Sequence, residues 1–249
     1  MIGSVERYSS SSRKRRISLL GSRTFRILLI AFILYVFVQR FFVATFRVES
    51  VSMEPAIDPS DRVIVSLLAL GARLPFSHAR FPGIAVPERG DLVVVEPPFY
   101  DDESPLMKIL EPLVSFFTLQ KGTLRRDLYG GRVNSYMLKR VIGMPGDTIR
   151  LSHYRVWIRE AGASDFVPED QVVPGHYETR STLNAPGWSS SLPFSGNEDD
   201  LVLASGQYYV LGDNRPESSD SRSWGPVPRD RIIGKVIYRY WPPRSIGRL

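Results

Sequence analysis

Two short stretches of the chain carry residue types that could form a hydrolytic site. Ser50 and Ser52 lie just beyond an apolar segment, and Lys139 lies far downstream in a run of β-forming residues, Met137–Ile142. The chain contains only five lysines against 27 arginines. An arginine stays protonated in any protein environment, whereas burial among apolar neighbours lowers the pKa of a lysine. Lys139 is therefore a candidate general base for a serine nucleophile, which is the chemistry of a Ser–Lys hydrolase.

Other catalytic chemistries have less support. The chain has no cysteine, which excludes a thiol nucleophile, thiolate metal ligands and disulfides. None of the three histidines has a spacing typical of zinc ligands, and no serine occupies a Gly-x-Ser-x-Gly motif. We therefore expect no metal and no cofactor, and a Ser–His–Asp triad is poorly supported. The alternative interpretation of Lys139 is an edge-strand lysine that faces water.

Basic residues are concentrated ahead of the one long apolar run. The net charge of +6 is compatible with nucleic acid or with an anionic membrane as a partner. No zinc-finger pattern and no basic helix with interleaved aromatic residues is present, so we expect no nucleic-acid partner. The position of the charge favours a membrane. The basic residues that precede the run are Arg13, Lys14, Arg15, Arg16, Arg23 and Arg26.

The apolar run has the length of a bilayer crossing. Residues 27–38 are apolar without interruption, and a second apolar run covers 41–46. As a helix these residues would span roughly 30 Å, the thickness of a bilayer core. A cleaved signal peptide would need small residues at its end, and a buried core helix would not explain the basic flank. We predict a cytoplasmic tail at 1–24, a transmembrane helix at 25–46 and an extracytoplasmic domain at 47–249.

The rest of the chain is rich in short β-forming segments bounded by turn signals. Pro145 followed by Gly146 is typical of a type II turn, because proline presets the first central angle and glycine accepts the second. Helical periodicity is scarce beyond the apolar run. We therefore predict a mainly β fold, with an antiparallel, partly closed β-barrel-like domain. The β-forming segments lie at 62–65, 92–95, 137–142, 154–158, 208–211 and 232–240.

Two loop-rich insertions interrupt this pattern. The first, at about 100–131, contains the apolar stretch 106–117, which is either a loop packed on the core or a second contact with the membrane. The second, at about 160–200, is rich in serine, proline, glycine, asparagine and acidic residues. Its composition indicates an accessory insertion with long loops.

Five short segments between the apolar run and the C-terminus carry a specific resemblance to a known family. They are Ser50–Pro55, Asp61–Val65, Arg89–Val94, Leu138–Asp147 and Gly212–Pro228. In sequence and in order they resemble segments of the type I signal peptidases, a family of membrane-anchored Ser–Lys endopeptidases. The resemblance implies an enzyme that removes signal peptides from exported preproteins at the outer face of the cytoplasmic membrane. It also implies substrates with small residues at positions −1 and −3 of the cleavage site.

The resemblance also implies catalytic roles for individual residues. Ser52 is then the nucleophile, and Lys139 is the general base that later protonates the leaving amine. The Ser50 hydroxyl and the Ser52 backbone N–H would stabilise the oxyanion. Ser218 would hold the Lys139 amine by a hydrogen bond.

Further residues receive supporting roles from the same resemblance. Asp220 and Arg222 match the family's structural ion pair, which holds the Ser218 loop against the lysine strand. The substrate would bind in an extended form beside Met137–Lys139. The positions that match the lining of shallow substrate pockets are Val48, Met53, Ile57 and Leu138.

Two alternatives share these motifs. One is a specialised Ser–Lys processing peptidase, for example one that matures pilin-like or transfer-system substrates. The other is an inactive membrane-bound binding module that retains the fold. Intact Ser52 and Lys139 argue against the second alternative.

Overall fold

The computed structural model describes residues 10–71, 82–97, 114, 136–175, 177–181 and 197–249. Apart from position 114, the insertion predicted at 100–131 lies outside these ranges. The insertion predicted at 160–200 is described at 160–175, 177–181 and 197–200.

The chain begins with one long helix, α1 (Ser10–Phe41). It ends earlier than the predicted boundary at residue 46, because the next residues form strand β1 (Val43–Arg47) and pair with strand β2 (Arg62–Ser66). The aromatic ring of Phe46 packs edge-on against Tyr136 at a centroid distance of 5.8 Å. The last part of the apolar run, residues 43–46, therefore forms a strand instead of continuing the helix.

Helix α1 exposes many of its apolar side chains to solvent. Over the part of the chain that the structure describes, no helix meets the combined length and hydropathy that a membrane crossing requires. The exposed apolar side chains of α1 are Phe25, Ile27, Leu28, Leu29, Ile30, Ile33, Leu34, Phe37 and Val38.

Antiparallel strands dominate the rest of the chain, which confirms the predicted mainly β, antiparallel fold. The larger sheet has the order β1-β2-β11-β3-β4-β9-β10, an open path from β1 to β10, with β12 paired to β11. Its further strands are β3 (Leu92–Val95), β4 (Met137–Gly143), β9 (Gln207–Leu211), β10 (Val227–Pro228), β11 (Ile232–Trp241) and β12 (Gly247–Arg248).

The described residues also form a smaller sheet and two short helices that are described over their full length. The smaller sheet has the order β7-β6-β5-β8. Its strands are β5 (Thr148–Ser152), β6 (Arg155–Arg159), β7 (Val167–Pro168) and β8 (Glu198–Val202). Helix α2 (Glu169–Val172) follows β7, and helix α3 (Ser221–Trp224) follows a 3-10 turn at Arg215–Glu217.

Strand β4 lies at the centre of the core and connects the two sheets. Its residues from Lys139 to Gly143 are all buried. Successive side chains of a strand point to opposite faces, so Val141 and Ile142 belong to different apolar clusters. The cluster of Ile142 also contains Ile149 and Ile158 of the smaller sheet. The core thus holds β4 rigidly on both faces.

Gly143 at the end of β4 provides a test of this packing. A Cβ atom at this position would lie 2.7 Å from Leu203 Cδ1, 2.8 Å from Ile149 Cδ1 and 2.9 Å from Tyr209 Cβ. We expect Gly143→Ala to lower the free energy of unfolding by about 1–3 kcal/mol, because the core is overpacked. Urea unfolding followed by tryptophan fluorescence measures the change.

The matched control is Gly247→Ala in strand β12. A Cβ atom there would meet no other atom within 4 Å. This variant should unfold within about 0.5 kcal/mol of the wild type. Equal unfolding midpoints for the two variants would contradict the close packing at Gly143.

Candidate active site

Ser52 lies in a tight turn between β1 and β2. The residue is buried, with 5% of its surface exposed. The backbone on both sides of the serine is held by Asn214: its N–H donates to Ser52 O at 3.0 Å, and its Nδ2 donates to Val51 O at 3.1 Å. The Glu54 N–H closes the turn on Val51 O at 3.1 Å. The Ser52 hydroxyl is therefore presented from a fixed backbone.

Strand β4 brings Lys139 to this hydroxyl. The Lys139 Nζ lies 3.0 Å from Ser52 Oγ, and only 2% of the lysine is exposed. Burial lowers the pKa of Lys139 to about 8, a shift that Asp220 and Asp213 oppose and Arg222 reinforces. At neutral pH about a tenth of the amine is then unprotonated. Lys139 can therefore act as a base under ordinary conditions.

Ser50 completes a row of three polar atoms. Its Oγ donates to Ser52 Oγ at 2.9 Å and accepts from the Ser52 N–H at 3.3 Å. The Ser50 hydroxyl and the Ser52 N–H, which are predicted to bind an oxyanion, therefore both form hydrogen bonds between these two serines. A substrate carbonyl oxygen would have to replace these hydrogen bonds.

Ser218 lies beside the site, but the predicted hydrogen bond to the Lys139 amine is not formed. Ser218 is 8% exposed, and its buried Oγ forms no hydrogen bond of good geometry, although it lies near enough to Asp220 to help lower the pKa of that carboxyl. It packs instead against Gly212, where a Cβ atom would lie 2.2 Å from Ser218 Oγ and 2.5 Å from Ser52 O. Only glycine allows Ser52 and Ser218 to approach each other here.

Asp220 and Arg222 form a two-bond ion pair at the base of this loop. The Arg222 Nε and Nη2 donate to the two Asp220 carboxylate oxygens, each at 2.8 Å. Asp220 also accepts from the Gly212 N–H at 3.0 Å and caps helix α3. Burial opposes the charge of Asp220, but Arg222 and the Gly212 N–H outweigh it, so the pKa of Asp220 is lowered. The Arg222 Nη2 further donates to Arg215 O at 2.7 Å.

The four predicted pocket residues all belong to one apolar cluster. Met53 and Ile57 have no exposed surface, and Val48 is 7% exposed. Leu138 packs against the same cluster and is half-buried. Of the four side chains, only Val48 and Leu138 therefore present surface that a ligand could contact in this conformation.

Several residues of the site were missed in the sequence. Arg140 donates through Nε and Nη2 to the Asp213 carboxylate at 2.9 and 2.7 Å, and through Nη1 to Gly90 O at 2.9 Å. Arg140 lies in the segment Leu138–Asp147, and Asp213 and Asn214 lie in the segment Gly212–Pro228, two of the five segments on which the resemblance rests. The resemblance assigned no role to any of the three residues, and the composition at Gly212–Asn214 indicated only a turn.

The arrangement can perform acyl transfer. A partly neutral amine, a serine hydroxyl and a second hydroxyl stand in line, which are the parts of an activated nucleophile. Within the described ranges, no cluster of three or more His, Cys, Asp and Glu side chains could hold a metal ion. The Lys139 amine and the two serine hydroxyls offer proton transfer and hydrogen bonding.

Comparisons with known proteins agree with this chemistry. A family model described as signal peptidase, peptidase S26, matches residues 22–241. A signal peptidase I of Pseudomonas aeruginosa is 27% identical over 248 residues, covering 92% of this chain and 75% of the relative. A probable signal peptidase I-2 of Synechocystis is 28% identical over 211 residues, covering 84% and 69%. Thylakoidal processing peptidase 1 of Arabidopsis thaliana is 25% identical over 200 residues; the match covers 80% of this chain but only 42% of that protein.

The lowered pKa of Lys139 predicts a pH-dependent stability. Below pH 8 the folded state must hold a buried ammonium, and above pH 10.5 the amine is neutral in both folded and unfolded states. Stability due to Lys139 should therefore rise with pH between these values, because the unfolded state binds more protons. Relative to Lys139→Met, we expect the wild type to gain up to about 3 kcal/mol over this window.

Urea unfolding of both proteins between pH 7 and 10.5 measures this gain. The other titrating groups are common to both proteins, so their effects cancel in the difference. Stability curves that stay parallel across the whole range would contradict a buried amine of lowered pKa.

Proposed function

The chain belongs to the signal peptidase family, peptidase S26, and from this premise we propose that it is a signal peptidase I. It is a serine endopeptidase that cleaves signal peptides from exported preproteins. The observation that carries the proposal is the 3.0 Å approach of the Lys139 amine to the Ser52 hydroxyl in a buried site. Both residues lie within the range that the family model matches.

The reaction uses the row of polar atoms in order. The neutral Lys139 amine accepts the Ser52 hydroxyl proton as Ser52 Oγ attacks the scissile carbonyl. The Ser52 N–H and the Ser50 hydroxyl turn to the oxyanion of the tetrahedral intermediate. The Lys139 ammonium then gives its proton to the leaving amine. Water, deprotonated by the same amine, hydrolyses the acyl-enzyme and restores Ser52.

Among the described residues, one edge of strand β4 is left without a partner strand over Met137–Lys139, which supports extended binding of the substrate. Strand β9 pairs with β4 only as far as Leu211, opposite Arg140, while β3 pairs with β4 on the other side down to Met137. A peptide can therefore add a strand beside Met137–Lys139, next to the Ser52 hydroxyl. The complete burial of Met53 and Ile57 leaves a shallow surface there. Such a surface favours small side chains at positions −1 and −3.

Helix α1 is the membrane anchor in this proposal. Its exposed apolar side chains include Ile30 at 64% and Ile33 at 57%, an arrangement that lipid accommodates and water does not. The basic cluster before residue 27 supports a cytoplasmic N-terminus, because positively charged flanks of a membrane helix are retained on the cytoplasmic side. The peptidase domain then works on the outer face of the cytoplasmic membrane, close to an inserted signal peptide.

The catalytic pair is tested on a preprotein with an Ala-x-Ala site, using the full chain in detergent. Ser52→Ala and Lys139→Arg should each abolish cleavage, because the first removes the nucleophile and the second leaves a cation that cannot accept a proton. In the wild type, kcat/KM should rise with pH through about 8, where Lys139 loses its proton.

The matched control for the lysine is Lys235→Arg on β11. Lys235 pairs with Asp91 at 2.7 Å, a contact that arginine can keep. This variant should cleave at the wild-type rate. Persistent cleavage by Lys139→Arg, or a rate independent of pH between 6 and 9, would refute the proposed dyad.

The anchor is tested by alkaline carbonate extraction of membranes. The wild-type chain should remain in the membrane pellet, and Ile30→Arg/Ile33→Arg should move to the supernatant, because each arginine opposes insertion by about 3 kcal/mol. Ile84→Arg is the matched control, since Ile84 is 79% exposed outside the helix. Extraction of the wild type, or retention of the double variant, argues against the anchor.

A further inference from the structure

Arg215 is a buried cation that the reaction scheme does not use. It is 8% exposed, and its Nε donates to Gly212 O at 3.0 Å. Its Nη2 forms an ion pair with Glu169 Oε1. The same carboxylate oxygen accepts from the Tyr177 hydroxyl at 2.9 Å. Glu169 is the first residue of helix α2, so the pair joins the insertion to the catalytic loop.

Arg215 sits between the two parts of the site that must stay in register. On one side it holds Gly212, where an added Cβ atom would lie 2.2 Å from Ser218 Oγ and 2.5 Å from Ser52 O. On the other side its carbonyl accepts from Arg222, the partner of Asp220. A displacement of Arg215 would therefore shift the Gly212 backbone that packs against Ser52. It would also shift the Asp220–Arg222 ion pair, whose charges act on Lys139.

The insertion makes a second contact with the same loop. The Arg180 N–H donates to Asp213 O at 2.9 Å, and Arg180 O accepts from the Arg215 N–H at 2.8 Å. The Arg180 guanidinium forms an ion pair with Glu54, two residues after the nucleophile. The described part of the insertion thus holds the nucleophile turn as well as the Gly212–Arg215 segment.

We propose that Glu169 is a positioning residue for the catalytic pair: by fixing the Arg215 guanidinium it holds Gly212, and thereby Ser52, in register with Lys139. The insertion at 160–200 is then a brace for the site. This inference rests on the proposed peptidase function, because its main readout is the reaction.

Loss of the Glu169 charge should disturb the site in a specific direction. Arginine cannot discharge itself by losing a proton, so a buried Arg215 must find another anion. The charged and titratable groups that act on Arg215 are Glu169, Tyr177 and Asp220. Without Glu169, Arg215 therefore turns toward Asp220.

This shift also reaches Lys139. The charged groups that act on Lys139 are Asp220, Arg222 and Asp213, and Asp220 raises its pKa. When Arg215 shares the charge of Asp220, this support of the ammonium weakens. The pKa of Lys139 should then fall.

The test compares Glu169→Gln with the wild type in kcat, KM and the pH profile of kcat/KM. Glutamine keeps the size of the side chain and removes its charge. We expect kcat to fall by about tenfold to a hundredfold, as remote misplacement of reacting groups does, while KM changes little. The midpoint of the rising limb should move to lower pH. Wild-type kcat with an unmoved midpoint would overturn the proposal.

Asp170→Asn is the matched control, because Asp170 is the neighbouring carboxylate on α2 and is exposed. It changes the net charge by the same amount and should leave kcat and the midpoint unchanged. Glu169→Asp keeps the charge and should return the midpoint to the wild-type value. If Glu169→Asp and Glu169→Gln both lose rate while the midpoint of the pH profile stays unchanged in both, Glu169 only stabilises the fold. That result would overturn the positioning role.

Two further measurements keep the test decisive. If Glu169→Gln does not fold, Tyr177→Phe removes the hydroxyl bond to Glu169 and should lower kcat by a smaller factor; an unchanged kcat would overturn the proposal.

The second measurement needs no cleavage. In a Glu169→Gln background, the stability gain over Lys139→Met should begin at a lower pH than in the wild-type background. If the wild type shows no cleavage that depends on Ser52, the proposed function is refuted. If the stability gain begins at the same pH in both backgrounds, the positioning role of Glu169 is refuted.

Discussion

The removal of the Lys139 amine from water is the constraint on which the rest of the site depends. An ammonium is destabilised by burial, so the amine loses its proton at about pH 8 rather than 10.5. A carboxylate bonded directly to Lys139 would cancel this effect. Asp220 is close enough to raise the pKa, but Arg222 engages both of its oxygens. At Lys139 the charge of Arg222 opposes those of Asp220 and Asp213, and desolvation is the largest of the effects on the pKa.

Strand β4 separates two cations with opposite requirements. Lys139 must lose its proton, whereas Arg140 stays charged and forms a two-bond pair with Asp213. Because neighbouring residues of a strand point to opposite faces, the two side chains lie in different environments although their backbones are adjacent. The use of arginine in the ion pairs around β4 therefore has a physical basis, since only lysine can become a neutral base there.

The sequence was sufficient for some of these features and not for others. The short β-branched segments predicted the antiparallel sheets, and the sequence predicted that Ser52 and Lys139 act together, two residues whose Oγ and Nζ atoms lie 3.0 Å apart. The end of helix α1 was not predictable, because the apolar run continues into β1 and only pairing with β2 marks the change. Long-range pairs such as Arg140 with Asp213 were equally hidden, since 26 acidic residues offer too many partners for 27 arginines. The orientation of Ser218 depends on atomic packing against Gly212, which no residue pattern encodes.

Ser52, the proposed nucleophile, lies in a turn and Ser218 lies in a loop, whereas Lys139, the proposed base, lies on a strand of the core. Loop backbones lack the ladder of hydrogen bonds that fixes a strand, so their geometry must come from side chains. Asn214 fixes the geometry of the Ser52 turn, and buried ion pairs fix the geometry of the segment from Gly212 to Arg222. Buried pairs contribute little net stability, but breaking one leaves an uncompensated charge, which makes alternative loop positions costly. This accounts for the buried ion pairs near Lys139, Arg140 with Asp213 and Arg222 with Asp220, which hold the neighbouring loop in one position.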